Sequence, residues 1–308
     1  MNWKKWYREC VLCPRECGVD RLSGRRGFCG QTASLKVARA ALHMWEEPCI
    51  SGESGSGTVF FSGCPLKCIY CQNYAISDCS SGIRISDERL AEIFIELQDN
   101  GANNINLVTP THYTLSVINA VKSAREKGLE IPVVYNCSGY EKAETVEMLK
   151  DTVDIYLVDF KYIRRETAQR YSSAPDYPET AKKALEYMFR QVGKPVFDEN
   201  GMMTKGIIAR HLILPEHEEE AKEIVGYLFD TYGNDIFISI MNQYTPVRHF
   251  DDYPELNRRV SAEEYDHVID FAVDIGVENA FVQDGEAASE SFIPCFDGRG
   301  IQKGTRSC

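Results

Sequence analysis

The chain has 308 residues and a mass of 34.9 kDa, with 44% hydrophobic residues, 26% charged residues and 12 cysteines. That is far below the roughly 8–10% cysteine of a small disulfide scaffold, and a chain of this length buries a core without staples. A net charge of −12 argues against a partner recognised through its phosphate backbone, so nucleic acid is not expected.

Along the chain, residues 1–57 read as a cysteine-rich module and linker. The first 50 hold nine Lys/Arg against five Asp/Glu, and a Gly/Ser segment over 51–57 follows. The opening residues carry charges with no apolar stretch behind them. The longest run free of Asp, Glu, Lys and Arg, 100–121, is too polar to span a membrane. The expected location is therefore cytoplasmic, where thiols stay reduced.

From residue 58 short apolar runs alternate with amphipathic stretches. Strands are expected over 58–62, 105–109, 131–135, 154–159, 206–214, 235–241 and 280–283. Ser86 is placed to N-cap a helix whose Leu90, Phe94 and Leu97 share one face. Further helices are expected over 113–127, 141–149 and 164–193. Pro215 is expected to open another, with acids crowded into its first turn. Ser261 and Glu264 have the spacing of a capping box, and Asn200-Gly201 predicts a small hairpin before Gly206. The β-α alternation implies an α/β fold with a parallel sheet. The expected architecture is a partial (β/α)6 TIM-like barrel over 58–285, with a tail over 286–308; an open doubly wound sheet is the alternative. In either, chemistry belongs at the carboxyl ends of the strands.

Cys64, Cys68 and Cys71 fall just after the first of these strands, at x3 and x2 spacing on one loop. A structural zinc site wants four closed ligands, and so does a simple [4Fe–4S] electron carrier. Three cysteines on a [4Fe–4S] cluster leave one iron open to an exchangeable ligand. A zinc site completed by a distant ligand is the competing reading.

This motif, with Tyr70 before its last cysteine, resembles the radical S-adenosylmethionine (SAM) superfamily. The wider string from Val59 through Asn73 is similar to the pyruvate formate-lyase activating enzyme group. The resemblance implies a [4Fe–4S] cluster on Cys64, Cys68 and Cys71 and SAM chelated to its open iron. Reductive cleavage of SAM then gives a 5′-deoxyadenosyl radical that abstracts a substrate hydrogen. It also implies a reductant such as flavodoxin or ferredoxin and an oxygen-poor setting. Carried over residue by residue, Tyr70 stands beside the adenine. Thr109 and Thr111 of Thr109-Pro110-Thr111-His112 stand where the family usually has Gly-Gly-Glu-Pro for the SAM amino group. Asn136 and Ser138 stand where activating enzymes have Asp-Thr-Asn-Gly. Asp159 and Lys161 match an Asp-x-Lys pattern near SAM, Arg210 matches a family arginine, and Gln243 falls where adenine contacts are expected. No catalytic residue is assigned. The departures at the second and third strands weaken the reading as an ordinary glycyl-radical-enzyme activase.

Cys10, Cys13, Cys17 and Cys29, with interspersed glycines and basic neighbours, read as a second, four-ligand site. Structural zinc and an auxiliary [4Fe–4S] cluster fit equally, and reduced thiols without metal are the third alternative. The similarity narrows to a subgroup with such a leader, with Glu46-Glu47-Pro48-Cys49 and with Phe292-Ile293-Pro294. The substrate stays open between protein, peptide and small molecule: an enclosed, charged pocket favours a small molecule, an open groove a peptide. The alternatives are a glycyl-radical-enzyme activase proper and a non-catalytic iron–sulfur or zinc protein that binds or senses redox state.

Overall fold

The computed structural model describes residues 4–78, 81–283 and 294–302. Cys79, Cys308, Phe292 and Ile293 lie outside the described residues, as does most of the expected tail. Ten strands form in chain order among the described residues. They are β1 (Lys36–His43), β2 (Ser56–Phe61), β3 (Ile83–Arg84), β4 (Ile105–Val108), β5 (Val133–Cys137), β6 (Ile155–Asp159), β7 (Val196–Phe197), β8 (Met203–Leu212), β9 (Phe237–Met241) and β10 (Ala280–Val282). The sheet order is β10-β9-β8-β6-β5-β4-β2-β1-β3, with β7 paired to β8 alone. Every pairing from β10 to β2 is parallel. The fold is thus the expected partial barrel of α/β class.

The helices are α1 (Lys4–Arg8), α2 (Pro48–Ser51), α3 (Tyr74–Ser77), α4 (Asp87–Asp99), α5 (Thr114–Glu126), α6 (Ala143–Met148), α7 (Arg165–Ser172), α8 (Tyr177–Val192), α9 (Glu218–Tyr232) and α10 (Ala262–Asp274). Ser86 caps α4 by accepting from the Arg89 N–H at 3.2 Å. Ser261 and Glu264 close the capping box of α10. Pro215 does not open α9. The helix begins at Glu218, because Glu216 takes a left-handed backbone with φ of 66°.

The strands alternate sides, as period-two geometry requires. One face of β5, β6 and β8 presents Tyr135, Tyr156, Val158, Ile207 and Ala209 to the helices. The other presents Val134, Ile155, Leu157 and Ile208 to the barrel interior.

The expected boundary at residue 57 moves. β1 runs antiparallel along β2 and carries β3 on its far side, so residues from 36 onward are part of the sheet. Beyond β1, α2 plugs the barrel interior. Cys49 and Ile50 pack on Val134, Ile155, Leu157 and Ile208, and Asn104 Nδ2 donates to the Ile50 carbonyl at 2.8 Å. The tail also joins the body: Ala40 N–H donates to the Arg299 carbonyl at 2.9 Å, and Ile301 is buried against β1 and α4.

Candidate active site

A cavity of about 230 Å³ opens where the parallel strands end. Cys64, Cys68, Cys71, Tyr70, Thr109, Asn136, Ser138, Asp159, Lys161, Arg210 and Gln243 all line it. Polar residues that the sequence scatters over some 180 positions therefore converge because each closes a parallel strand or the loop after one.

The cysteine loop is fixed by its backbone. Ile69 N–H donates to the Tyr171 carbonyl at 2.9 Å, and Cys71 N–H to the Cys68 carbonyl at 3.2 Å. Gly63 precedes it with φ of 89°, and a Cβ there would lie 2.7 Å from the Cys29 carbonyl oxygen, so only glycine lets the loop meet the N-terminal segment. Burial pushes the Cys64 thiol up to about 12 and Cys71 up to about 11, with the neighbouring cysteines adding to both. Such thiols are poor nucleophiles near neutral pH but become thiolates on metal binding. Among the described residues no three His, Cys, Asp or Glu side chains gather as they would around a single ion. That suits a cluster, which gives each thiolate a separate iron. Three thiols on one loop facing a polar cavity thus fit a [4Fe–4S] group with one open iron. Tyr70 is 5% exposed, held edge-on by Tyr162, Tyr171 and Tyr244 at 6.0–6.4 Å.

The cavity floor is a charged network. Asp159 on β6 and Arg210 on β8 are register partners. Arg210 donates from Nε to Asp159 at 2.8 Å, from Nη1 to Glu46 at 2.9 Å and from Nη2 to Asn136 at 2.7 Å. Lys161 Nζ donates to the other Asp159 oxygen at 2.8 Å. Burial alone would raise Asp159, but Arg210 and Lys161 outweigh it and hold the carboxyl below its ordinary value. Burial raises both Glu46 and Glu47 against the pull of Arg210. Glu47 lies 4.0 Å from Arg210, and its Oε2 accepts no hydrogen bond. Two cations face three carboxyls here, so the acidic groups outnumber their basic partners by one.

Tyr177 staples the ends of β5 and β6. Its hydroxyl accepts from Lys161 N–H at 2.8 Å and lies 2.8 Å from both the Ser138 and Asp159 carbonyls. Thr109 holds φ of 57°, rare for a β-branched residue, at the mouth of β4. Ser138 Oγ is buried without a partner.

Thr111, a candidate SAM contact, is corrected: it does not line the cavity. It is fully buried in the turn before α5, where its Oγ1 donates to Glu141 at 2.5 Å. His112 is likewise structural, with Nε2–H donating to the Ser62 carbonyl at 2.8 Å. Burial and Arg21 push it down to about 3, so it stays neutral. Burial pushes Glu141 up to about 8. A carboxyl whose folded pKa is raised stabilises fully below its ordinary pKa and loses that contribution as pH climbs through the folded value. Glu141→Gln should therefore gain stability over wild type, the gain growing between pH 5 and 8 and levelling above; melting curves across that range check it.

Sequence reasoning missed Glu46 as a cavity residue. Besides Arg210, it accepts from Asn106 Nδ2 at 2.9 Å. The available signal was that Glu46-Glu47 is the one adjacent acidic pair in an otherwise basic first fifty residues. Cys10, Cys13, Cys17 and Cys29 lie away from the cavity, in the N-terminal segment packed behind the cysteine loop.

A profile of the radical SAM superfamily matches residues 58–228, and the chain belongs to that superfamily of enzymes. The protein MJ0674 of Methanocaldococcus jannaschii, described as uncharacterized, is 30% identical over 280 residues, covering 87% of this chain and 75% of that one. Among solved structures, a radical SAM methyltransferase from Sphaerobacter thermophilus overlays with a TM-score of 0.51 at 15% identity, over 74% of this chain and 66% of that one. SuiB of Streptococcus suis bound to S-adenosylmethionine overlays with a TM-score of 0.48 at 16% identity, over 73% of this chain. This chain spans about half of SuiB, 49%. No helix among the described residues is long and apolar enough to cross a membrane.

Proposed function

We propose that this radical SAM enzyme is activating-enzyme-like in its loop but takes hydrogen from a small, charged molecule rather than from a protein backbone. The observation that carries this reading is the charged floor. Glu46, Arg210, Lys161 and Asp159 have side chains only 8–20% exposed, at the bottom of the cavity that the cysteines border. A peptide backbone is neutral, and it gains little from a recess lined with fixed charges. A zwitterionic or multiply charged small molecule gains charge-assisted hydrogen bonds that water does not screen there.

When bound, the cluster and SAM supply the electron and the carbon radical that removes the hydrogen. Cys64, Cys68 and Cys71 would hold the cluster. Tyr70, Thr109, Asn136, Ser138 and Gln243 would surround SAM, with the unpartnered Ser138 hydroxyl free to bond it. Lys161 and Arg210 are already committed to carboxylates of the chain. Their part is to fix Asp159 and Glu46 in place as acceptors for a cationic group. A low-potential carrier such as flavodoxin or ferredoxin would deliver the electron.

The test is anaerobic. Cluster-loaded enzyme with SAM and a strong reductant should form 5′-deoxyadenosine, and a cell filtrate of small molecules should raise the yield. Stimulation by the protein fraction instead would restore the activase reading. No cleavage with either fraction would leave a non-catalytic metal protein.

A further inference from the structure

Arg21 is 1% exposed, one of the largest fully buried side chains of the protein. Its Nη1 donates to the His112 carbonyl at 2.7 Å and reaches Cys10 Sγ at 3.7 Å, and its Nη2 donates to the Thr32 carbonyl at 2.7 Å. Its Nε has no partner. The Tyr7 ring lies 4.7 Å and the Tyr113 ring 5.7 Å from the guanidinium carbon. Arg210, by contrast, is met by carboxylates. The acidic groups that act most strongly on Arg21 are Cys29, Tyr7 and Cys10. A buried cation without a counter-charge is costly, and carbonyls and ring faces offset only part of that cost. Neutral thiols supply no charge; metal-bound thiolates do.

Two of the four N-terminal thiols, Cys10 and Cys29, act on this cation. Tight turns wrap the chain: Cys10 N–H donates to Val19, Gly18 N–H to Cys10 and Glu16 N–H to Cys13, at 3.0–3.1 Å. Cys17 and Cys29 converge on Gly27, their Sγ atoms lying 3.2 and 3.5 Å from where a Cβ of residue 27 would sit. Zinc would draw four sulfurs to about 3.8 Å of one another, given Zn–S bonds of about 2.3 Å in a tetrahedron. No such gathering exists among the described residues.

We propose that Cys10, Cys13, Cys17 and Cys29 hold a second [4Fe–4S] cluster, with Arg21 as its buried counter-cation and hydrogen-bond donor to Cys10. An oxidised cluster with four thiolates carries a net charge of about −2, which the guanidinium partly offsets. The four ligands leave no iron open, so this cluster is separate from SAM chemistry. It braces the catalytic loop from behind. Arg15, between Cys13 and Cys17, donates to the Pro65 carbonyl at 2.9 Å and the Leu66 carbonyl at 3.3 Å, within the Cys64–Cys68 turn. The same side chain bonds the Ser172 and Ser173 carbonyls at 2.8 and 2.5 Å.

The test uses the full chain carrying Cys64→Ala, Cys68→Ala and Cys71→Ala, loaded anaerobically with iron and sulfide and analysed for both and for zinc. The variant should keep about four irons and four sulfides, against about eight of each in wild type. Zinc at about one per chain without iron, or no metal, would overturn the proposal. Adding Arg21→Gln to that variant should lower the reduction potential of the remaining cluster, followed by EPR titration, because a cation and a donor to sulfur are lost. An unchanged potential would remove Arg21 from the proposal; should that variant fail to fold, the metal analysis still decides the site. Neither readout involves SAM cleavage, so failure here and failure of the proposed function are distinguishable.

Discussion

Arg210→Met is expected to destabilise the fold by about 3–5 kcal/mol, read as a fall in the denaturant midpoint. The side chain is 14% exposed and makes three charge-assisted or amide hydrogen bonds across the barrel interior. Its removal leaves Glu46 buried against Asn106 and Asn136 with no cation, and leaves Asp159 with Lys161 alone. Adding Glu46→Gln to Arg210→Met should recover part of the loss, because the stranded carboxyl is the expensive element rather than the missing contact. The pH dependence follows from Asp159. A carboxyl with a depressed folded pKa stabilises above its ordinary pKa and loses that contribution as pH falls through the folded value. Wild type should therefore lose stability on the acid side more steeply than Arg210→Met. A variant within about 1 kcal/mol of wild type, the range of an exposed ion pair, would show that the network is not a structural keystone.

Cys64→Ala, Cys68→Ala and Cys71→Ala, made singly, should each lower 5′-deoxyadenosine formation by more than about 100-fold, beyond what losing a ligand's supporting partner costs. Cys137→Ala is the matched control. Cys137 also lines the cavity, and burial holds its thiol well above the ordinary cysteine range. It sits on β5 rather than on the loop, so its loss should leave the iron content at the wild-type value. Equal loss of iron from Cys137→Ala would mean that a fourth thiol closes the catalytic cluster, and the open iron would go with it.

The parallel strands, the hairpin at β7 and both helix caps were legible in the sequence, because each rests on a local pattern. The cysteine loop and the strand-end polar residues were legible for the same reason, since register brings the ends of neighbouring parallel strands together. What local pattern could not show is how segments distant in sequence meet. β1 alternates poorly because Val37 and Ala38 are both buried while Leu42 is exposed, so it looked irregular. Glu46 stood out only as part of a subgroup's motif, because its partners lie 60 to 164 positions away on β4 and β8. Thr111 was misplaced because it was carried over from the family's Gly-Gly-Glu-Pro by resemblance, whereas after Pro110 this chain turns into a short helix that faces inward.

The Arg15 clamp carries a consequence for maturation. The guanidinium that holds the carbonyls of the catalytic turn is carried on the backbone between Cys13 and Cys17. A metal that orders the N-terminal segment would make that support firmer as the inner turn meets its first iron. On the proposed second cluster, loading would be sequential rather than independent, with the outer site filling first.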